Sequence, residues 1–294
     1  MTKEIQRLKK RLVREEMRRQ GKRPSYQRWL LLTLLVAGLA GSAWLWYHVN
    51  QPVLFEKRLQ TALNRKANGE SQRALDELQR LTADAGRFGQ RPRVLYETAD
   101  LLEVSLGRYD EALLTWLLLM RDEPEKAREM GVLPRVATLY KYRLNDCEQA
   151  IAVYQQLLDQ PDESTARWQY EVADCYFRLN NFEQARIEFE SLQKKNPESD
   201  LLPEVRYRIA VTYALENMLP EAAASYRLVD ETWPEHPYAL EARFGLAAVL
   251  EEQERLLEAL EILEALVGMY PNAESLALRI EQLKARIDKK KRAI

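Results

Sequence analysis

The sequence is poor in the residue types that build metal sites, disulfide frameworks and tight turns. Its 294 residues include only two cysteines, two histidines, 10 glycines and 12 prolines. Two cysteines cannot form a disulfide-dense scaffold or a four-thiolate zinc site, and His48 and His236 stand far apart in unrelated contexts. The low glycine and proline content disfavours a β-sandwich and favours long helices. Because no Gly-rich phosphate loop, Ser-His-Asp order or metal-ligand spacing occurs either, we expect a protein that is not an enzyme and needs no cofactor.

The two ends of the chain differ strongly in charge, although the net charge is only −1. Residues 1–28 contain eleven Lys or Arg against three Glu, a net charge of +8, which leaves −9 for the remainder. Residues 29–49 read WLLLTLLVAGLAGSAWLWYHV, and no charged residue occurs from Trp29 to Phe55. The chain therefore consists of a basic arm, an apolar segment and a long acidic remainder.

The apolar segment is long enough to cross a membrane as a helix. Its 21 residues rise ~31 Å, the hydrocarbon thickness of a bilayer, and Trp29 at one end and Trp44, Trp46 and Tyr47 at the other suit the two interfaces. A buried core helix would need protein on every side of a uniformly apolar cylinder. A cleaved signal peptide, with small residues at 41–43, is the stronger alternative, but the long basic region and the aromatic cluster favour an uncleaved signal anchor.

The basic flank predicts the topology, because Lys and Arg beside a first membrane span are retained on the cytoplasmic side. Residues 1–28 then form a cytoplasmic arm, residues 29–49 a single span of a bacterial inner membrane, and the acidic remainder lies in the periplasm. The arm surrounds a loose apolar face with cations and lacks the aromatics of nucleic-acid binders, so we expect anionic lipid as its partner and no nucleic acid. Its charge is also explained as a topology signal alone.

Beyond the apolar segment the sequence repeats itself at intervals of 35 to 38 residues. Six alanines mark the repeats, at Ala74, Ala112, Ala150, Ala185, Ala222 and Ala259. Large apolar residues follow four positions later, at Leu78, Trp116, Tyr154, Phe189, Tyr226 and Leu263, and again three positions further on, at Leu81, Leu119, Leu157, Leu192, Val229 and Leu266. This spacing defines one face of a helix. A proline closes most units, at Pro124, Pro161, Pro197, Pro234 and Pro271.

A second set of alanines indicates another helix before each of these, at Ala99, Ala137, Ala173, Ala210 and Ala247. Short polar turns such as LNNFEQA join the two helices, so the unit is a helical hairpin. Units two and three have one extra residue between their paired alanines, which predicts a slightly longer turn. Each hairpin can bury its apolar face only against its neighbours.

These residues resemble the tetratricopeptide repeat family over about residues 53–272. The resemblance is weakest in the first unit, where Leu78 replaces the usual aromatic residue and Gly86 stands where the proline would be. It implies an all-α fold, a right-handed superhelical solenoid of about six helical hairpins that binds other proteins or extended peptides. Residues 273–294 read as an amphipathic capping helix with a basic tail.

The first helix of each hairpin would line a concave groove suited to an extended peptide. Alternating arginine, carboxylate and tyrosine side chains could fix a peptide backbone and provide rigid contact area. The alternative is that the tyrosines pack between hairpins and the charges form a solvated face. The candidate groove residues, at expected exposed inner positions, are Arg93, Tyr96, Asp100, Glu103, Lys141, Tyr142, Arg167, Tyr170, Asp174, Phe177, Arg178, Tyr207 and Arg208.

The segment from Glu190 to Leu250 looks like the periplasmic subgroup of the family, which implies an anchored adaptor in envelope biogenesis or protein export. No lipoprotein cysteine follows the apolar segment, so the protein should remain in the inner membrane. The alternative function is a structural subunit that self-associates through its convex face or its anchor, where small residues four apart would allow a homo-oligomer. A mitochondrial receptor with cytosolic repeats conflicts with the charge bias.

The two cysteines fall on helices that stacked hairpins would make neighbours. Cys147 begins the second helix of unit three, and Cys175 lies in the first helix of unit four. An oxidising compartment permits a disulfide, which needs the two Cα atoms within about 7 Å. Two buried thiols that act as small hydrophobic side chains are the alternative.

Overall fold

The computed structural model describes residues 2–19, 25–159 and 164–292, and all regular secondary structure in these ranges is helical. The chain divides into two compact units, Met1–Leu101 and Leu102–Ile294. From the second helix of the first unit onward, and throughout the α-helices of the second unit, helices that follow one another in sequence pack together. The expected all-α repeat solenoid is therefore confirmed.

The first unit contains one helix of exceptional length. The elements of this unit are α1 (Thr2–Arg19), α2 (Ser25–Ala67), α3 (Ser71–Ala85), a 3-10 turn (Gly86–Phe88) and α4 (Arg91–Asp100). Helix α2 has 43 residues and carries both the predicted membrane span and the first helix of the first hairpin, with Pro52 inside it. Helix α3 packs against α2 and α4. The predicted arm includes residues 20–24, which lie outside the described residues.

The apolar half of α2 is not covered by protein. Within the described ranges, α2 is the helix that is long and apolar enough to cross a membrane, and no part of its most apolar window is buried. The side chains of Leu34, Leu39 and Trp44 are each more than half exposed. The buried core helix weighed for this segment is therefore wrong.

The second unit is a row of antiparallel helices. A π-helical segment (Leu101–Ser105) continues α4, and the helices that follow are α5 (Tyr109–Asp122), α6 (Pro124–Glu129), α7 (Val132–Tyr142), α8 (Cys147–Leu158), α9 (Thr165–Arg178), α10 (Phe182–Lys195), α11 (Leu202–Leu215), α12 (Leu219–Thr232), α13 (Pro237–Glu252), α14 (Leu256–Ala265) and α15 (Ala273–Arg292). From α5 to α15 each helix packs against the next helix in sequence. Helix α11 also packs against α13. First helices of adjacent hairpins therefore lie together.

The predicted packing positions form the core. All eleven alanines of the two repeat series have no exposed surface. The large apolar residues that follow them are buried too, apart from Leu157, which is half-buried. Trp116, Tyr154 and Phe189 fill the spaces beside the alanines, and burying a large apolar side chain stabilises the fold by about 1.5–3 kcal/mol.

Each hairpin turn contains one residue with left-handed backbone. Its φ lies between 53° and 80°, and it stands five residues before the alanine of the second helix in all six hairpins. The left-handed residue ends the first helix and lets the next amide bond back to that helix, as Met218 N does to Tyr213 O at 2.9 Å. These residues are Gly69, Gly107, Asn145, Asn180, Asn217 and Glu254.

The extra residues of units two and three are accommodated in two different ways. In unit three the turn between α7 and α8 is one residue longer than the turn between α9 and α10, as predicted. In unit two the longer turn is not observed, because the π-helical segment Leu101–Ser105 takes up the additional residue inside the helix.

The prolines have two roles. Pro197, Pro234 and Pro271 lie in the links that follow α10, α12 and α14, as expected, whereas Pro161 lies outside the described residues. Pro124 also follows the end of its second helix, since α5 ends at Asp122, and it occupies in addition the first turn of the short helix α6, where its missing N–H is not needed.

Helix α15 covers the end of the row, as the amphipathic pattern predicts. Leu276, Leu283 and Ile287 are buried against the preceding hairpin, and the last turn is basic. Arg279 forms an ion pair with buried Glu251 at 2.8 Å, and Lys290 pairs with Glu254 at 2.8 Å. Residues 293–294 of the predicted cap lie outside the described residues.

Candidate functional site

The first helices α7, α9 and α11 place charged side chains in direct contact. Lys141 Nζ lies 2.6 Å from Glu171 Oε2 and 2.7 Å from Asp174 Oδ2. Asp174 also lies 3.8 Å from Nη1 of Arg208, and Nε of the same arginine lies 3.7 Å from Glu204. The pairs form a continuous row across three hairpins, which we call the inner-face network.

Lys141 is the buried centre of this network. Its side chain has no exposed surface, so the expectation of an exposed groove lysine is wrong. The long side chain passes between α7 and α9 to reach the two carboxylates. Burial lowers the pKa of the Lys141 ammonium, but hydrogen bonds to Asp174 and Glu171 outweigh it, and the pKa lies above its usual range.

Tyr142 and Arg178 form the outer rim of the network. The Tyr142 hydroxyl donates to Glu171 Oε2 at 2.7 Å, although 53% of the residue is exposed. Burial of the hydroxyl region and this hydrogen bond raise the pKa of Tyr142. The Arg178 guanidinium donates to Lys141 O at 3.2 Å and to Asn145 Oδ1 at 2.6 Å, and lies 6.0 Å from the Tyr142 ring centroid.

Three tyrosines extend the surface toward α13. The Tyr170 hydroxyl donates to Glu204, and burial and this hydrogen bond raise the pKa of Tyr170. Burial and a hydrogen bond with Glu204 raise the pKa of Tyr238 to about 12. The Tyr207 ring lies 5.3 Å from the Tyr238 ring and 5.9 Å from the ring of the core residue Tyr226. Tyr207 therefore packs between hairpins, which is the alternative weighed for the groove tyrosines.

Two further candidates flank the network on α9. Phe177 is half-buried, and the Arg208 guanidinium lies 5.3 Å from its ring centroid, within cation–π distance. Arg167 is exposed and, among the described residues, makes no ion pair or hydrogen bond. Arg167, Tyr142 and Arg178 are therefore the candidate side chains most open to a ligand.

The remaining candidates stand apart from the inner-face network. In the first unit Arg93 pairs with Glu56 at 3.0 Å, Asp100 pairs with Lys66 at 2.6 Å, and Tyr96 is partly buried on α4. In the second unit Glu103 accepts a hydrogen bond from Trp116 Nε1 at 3.0 Å and lies 3.3 Å from Arg135. Arg93, Asp100 and Glu103 thus contribute to contacts between their own local helices.

The sequence interpretation did not include two members of the network, Glu171 and Glu204, or Tyr238 beside it. Helical spacing contains a signal for two of them, because Glu171 stands three residues before Asp174 and Glu204 four before Arg208, on the same helix faces. Tyr238 follows the start of α13 and carries no such signal.

The two cysteines lie side by side as free thiols. Both are buried, and helices α8 and α9 pack against each other. Burial and contact with Cys147 raise the pKa of the Cys175 thiol. Across residues 2–19, 25–159 and 164–292, no three or more His, Cys, Asp or Glu residues group in a way that could hold a metal ion.

The surface has a paired interior and an open rim. Lys141, Glu171 and Asp174 satisfy one another, so they hold the first helices in register. The exposed tyrosine and arginines at the rim offer hydrogen-bond donors and a ring face, which suit backbone carbonyls and acidic side chains of a polypeptide.

Comparison with known proteins agrees with this architecture. A family model described as Tetratricopeptide repeat matches residues 59–127, 139–200 and 219–274, which together exceed half of the chain. A search of curated protein sequences found no match.

Several solved structures are similar. A tetratricopeptide repeat protein from Parabacteroides merdae has 17% identity and a TM-score of 0.52, with 81% of this chain and 89% of that chain covered. PilW, described as a widely conserved type IV pilus biogenesis factor, has 14% identity, a TM-score of 0.49 and coverage of 77% and 98%. YrrB, described as a TPR protein with an unusual peptide-binding site, has 18% identity, a TM-score of 0.49 and coverage of 68% and 97%. At 17% identity, the similarity to the Parabacteroides merdae protein shows that the two chains share a fold and shows nothing about function.

Proposed function

Because the chain belongs to the tetratricopeptide repeat family, we propose that it is a membrane-anchored, non-enzymatic scaffold that binds extended protein segments on the periplasmic side of a bacterial inner membrane. The observation that carries the proposal is helix α2. Its apolar residues are exposed along the whole predicted span, and the same helix continues without interruption into the first repeat.

An exposed apolar surface of this size needs a nonpolar environment. Single exposed apolar residues are normal on soluble proteins, but 21 consecutive uncharged residues on an uncovered helix have the length of a membrane span. The charge bias supports the orientation, since the +8 arm precedes the span. Helix α1 keeps Ile5, Leu8 and Leu12 exposed among its cations, which suits association with anionic lipid on the cytoplasmic side.

The rim of the inner-face network supports peptide binding. Arg167 and Arg178 are exposed on one helix, and Tyr142 presents more than half of its surface on the neighbouring one. A partner segment with acidic side chains would gain ion pairs with the arginines and ring contact with the tyrosine. The exported part is itself acidic, so it would repel a partner with many acidic residues. We therefore expect a partner with only a few acidic residues, placed opposite the arginines of this rim.

Two measurements on the full chain test the proposal. Reporter fusions at the C-terminus should show an exported terminus, and a cytoplasmic terminus would contradict the topology. A photo-crosslinking residue at position 142 should capture a defined partner, whereas the same residue at Glu148, exposed on second helix α8, should not.

A charge reversal separates specific capture from chance proximity. Arg167→Glu should weaken capture from position 142, and because Arg167 makes no ion pair among the described residues, the fold should be unchanged by circular dichroism. Arg178→Glu should act in the same direction. If both variants captured the partner as well as the wild type does, another surface would bind the partner.

The second candidate function is a self-associating structural subunit. It is favoured by the exposed small residues of the span, since Gly38 and Gly41 have no atom near the position of an added Cβ. A stable homo-oligomer of the detergent-solubilised chain, with crosslinks only to a second copy, would support this function in place of the first.

A further inference from the structure

A cavity in the first unit lies where α2 leaves the apolar stretch. Its volume is about 590 Å³, and it is enclosed by α2, α3 and the 3-10 turn that follows α3. One side is apolar and is formed by Leu54, Leu81, Phe55 and Phe88. The centroids of the two phenylalanine rings lie 4.9 Å apart. The other side is polar and charged.

The charged side has arginines that no carboxylate neutralises. Arg58 and Arg80 line the cavity and, among the described residues, form no ion pair. Both carboxylates of the lining are already engaged, because Glu77 pairs with Arg65 at 2.8 Å and Asp84 lies 3.6 Å from Arg87. The cavity therefore keeps an excess of positive charge beside an apolar wall.

With α2 across a bilayer as proposed above, the cavity lies at the level of the membrane surface. Tyr47, which closes the apolar stretch, is part of the same lining as Arg58. Eleven residues separate the two along α2, a rise of ~16 Å, and helical side chains lean toward the N-terminus, so the arginine reaches back toward the tyrosine. Tyrosine is typical of the headgroup level of a bilayer, where lipid phosphates lie.

We propose that this cavity binds the phosphodiester headgroup of an anionic membrane phospholipid. Arg58 and Arg80 hold the phosphate, because guanidinium groups match its oxygens with paired hydrogen bonds. Leu54, Phe55 and Phe88 contact the glycerol and upper acyl chains. The inference rests on the proposed membrane anchoring of α2, and it places a lipid contact on the side of the membrane opposite the basic arm.

The test measures arginine accessibility on the full chain in lipid nanodiscs. Phenylglyoxal modifies free guanidinium groups, and peptide mass spectrometry reports the rate at each arginine. We compare discs of phosphatidylcholine alone with discs that also contain phosphatidylglycerol. Phosphatidylglycerol should slow modification of Arg58 and Arg80, by about tenfold at a lipid concentration ten times the Kd. Arg73, two turns earlier on α3 and outside the cavity, is the internal control and should not change.

A variant gives an independent measure. Native mass spectrometry of the wild type released from the mixed discs should show one retained phosphatidylglycerol that the Arg58→Gln/Arg80→Gln variant lacks. The Arg73→Gln variant should keep it. Circular dichroism of the double variant checks the fold, and both arginines are exposed enough for the substitution to leave packing intact.

Each other outcome overturns a defined part of the inference. A chain that enters the discs but shows equal rates with and without phosphatidylglycerol refutes the lipid site and leaves the anchoring intact. Protection by inorganic phosphate in phosphatidylcholine discs, without a retained lipid, would show a site for free phosphate in place of a lipid. A chain that fails to enter the discs refutes the anchoring, and the lipid site with it.

Discussion

The ring of Tyr226 on α12 lies directly against the backbone of Gly245 on α13. A Cβ added at Gly245 would stand 2.6 Å from Tyr226 Cζ and 2.8 Å from Cε1, closer than Cβ atoms in folded proteins approach atoms to which they are not bonded. Tyr226 is buried and belongs to the core of the last hairpins. The glycine in the middle of α13 is therefore required by the neighbouring helix and not by its own backbone.

Gly245→Ala is expected to destabilise the protein. Overpacking a core costs about 1–3 kcal/mol, which the better helix propensity of alanine reduces by up to ~1 kcal/mol. We expect a net loss of up to about 2 kcal/mol, measured from the urea midpoint of the full chain in detergent. Gly86→Ala is the matched control, because Gly86 has a helical φ and open space at the Cβ position. Equal urea midpoints for the two variants would show that the Tyr226 ring moves away from the added methyl group without a cost in stability.

Lys141→Met is expected to be among the most destabilising single changes in the second unit. It leaves the buried Glu171 without a cation and leaves Asp174 only the more distant Arg208 at 3.8 Å, and breaking a buried ion pair costs about 3–5 kcal/mol. Urea unfolding followed by circular dichroism measures the loss. Lys126→Met removes an exposed pair with Glu129 and should have no measurable effect.

A combined variant shows whether the loss in Lys141→Met comes from the orphaned carboxylates. Adding Glu171→Gln and Asp174→Asn removes their charges and should recover part of the lost stability. A combined variant that is less stable than Lys141→Met would contradict this explanation.

Asn217→Ala is expected to destabilise the hairpin of α11 and α12. Asn217 has a φ of 59°, and asparagine tolerates left-handed backbone better than alanine does. The expected loss is about 1 kcal/mol in the free energy of unfolding. Asn217→Gly keeps the backbone accessible and should change stability little. If the alanine and glycine variants have the same free energy of unfolding, the left-handed backbone at this position does not determine stability.

The protein is expected to lose stability at alkaline pH. Burial raises the pKa of Tyr226, and hydrogen bonds to Asp174 and Glu171 keep the pKa of Lys141 above its usual range despite burial. For both groups the folded chain holds its proton at a pH where the unfolded chain releases it. Their contribution is complete below about pH 10 and is lost as the pH rises above the unfolded values.

Urea midpoints measured between pH 8 and 11 test this dependence. Tyr226→Phe keeps the ring and removes the ionisable hydroxyl, so its stability should fall less steeply above pH 10 than that of the wild type. Parallel curves for the two proteins would show that Tyr226 ionises equally in the folded and unfolded chains.

The repeat core could be predicted from the sequence because packing imposes residue size directly. Only small residues fit where two helices touch, so the alanines at 35- to 38-residue intervals marked the hairpins, and all of them are buried. The pairing of Lys141 with Glu171 could not be predicted, because thirty residues separate them and the contact depends on the lateral register of α7 and α9. Local backbone choices were equally hidden, since Pro124 can stop one helix or start another.

The turn residue Glu254 is not one of the residue types that left-handed backbone favours, and its ion pairs compensate for this. Five hairpins use glycine or asparagine at the left-handed position, and the sixth uses glutamate. Here the carboxylate pairs with Arg286 and with Lys290 at 2.8 Å on α15, which also lowers the pKa of Glu254. The capping helix therefore explains a residue that the turn alone does not favour.

The uninterrupted course of α2 gives the chain a fixed helical phase between its apolar stretch and its first hairpin. Each residue of an α-helix advances the azimuth by about 100° and the height by about 1.5 Å. One alanine inserted after Val49 would rotate the first hairpin by about 100° around the axis of α2, and an insertion of about seven residues would restore its direction. The direction in which the hairpin faces is thus encoded by a residue count within a single helix.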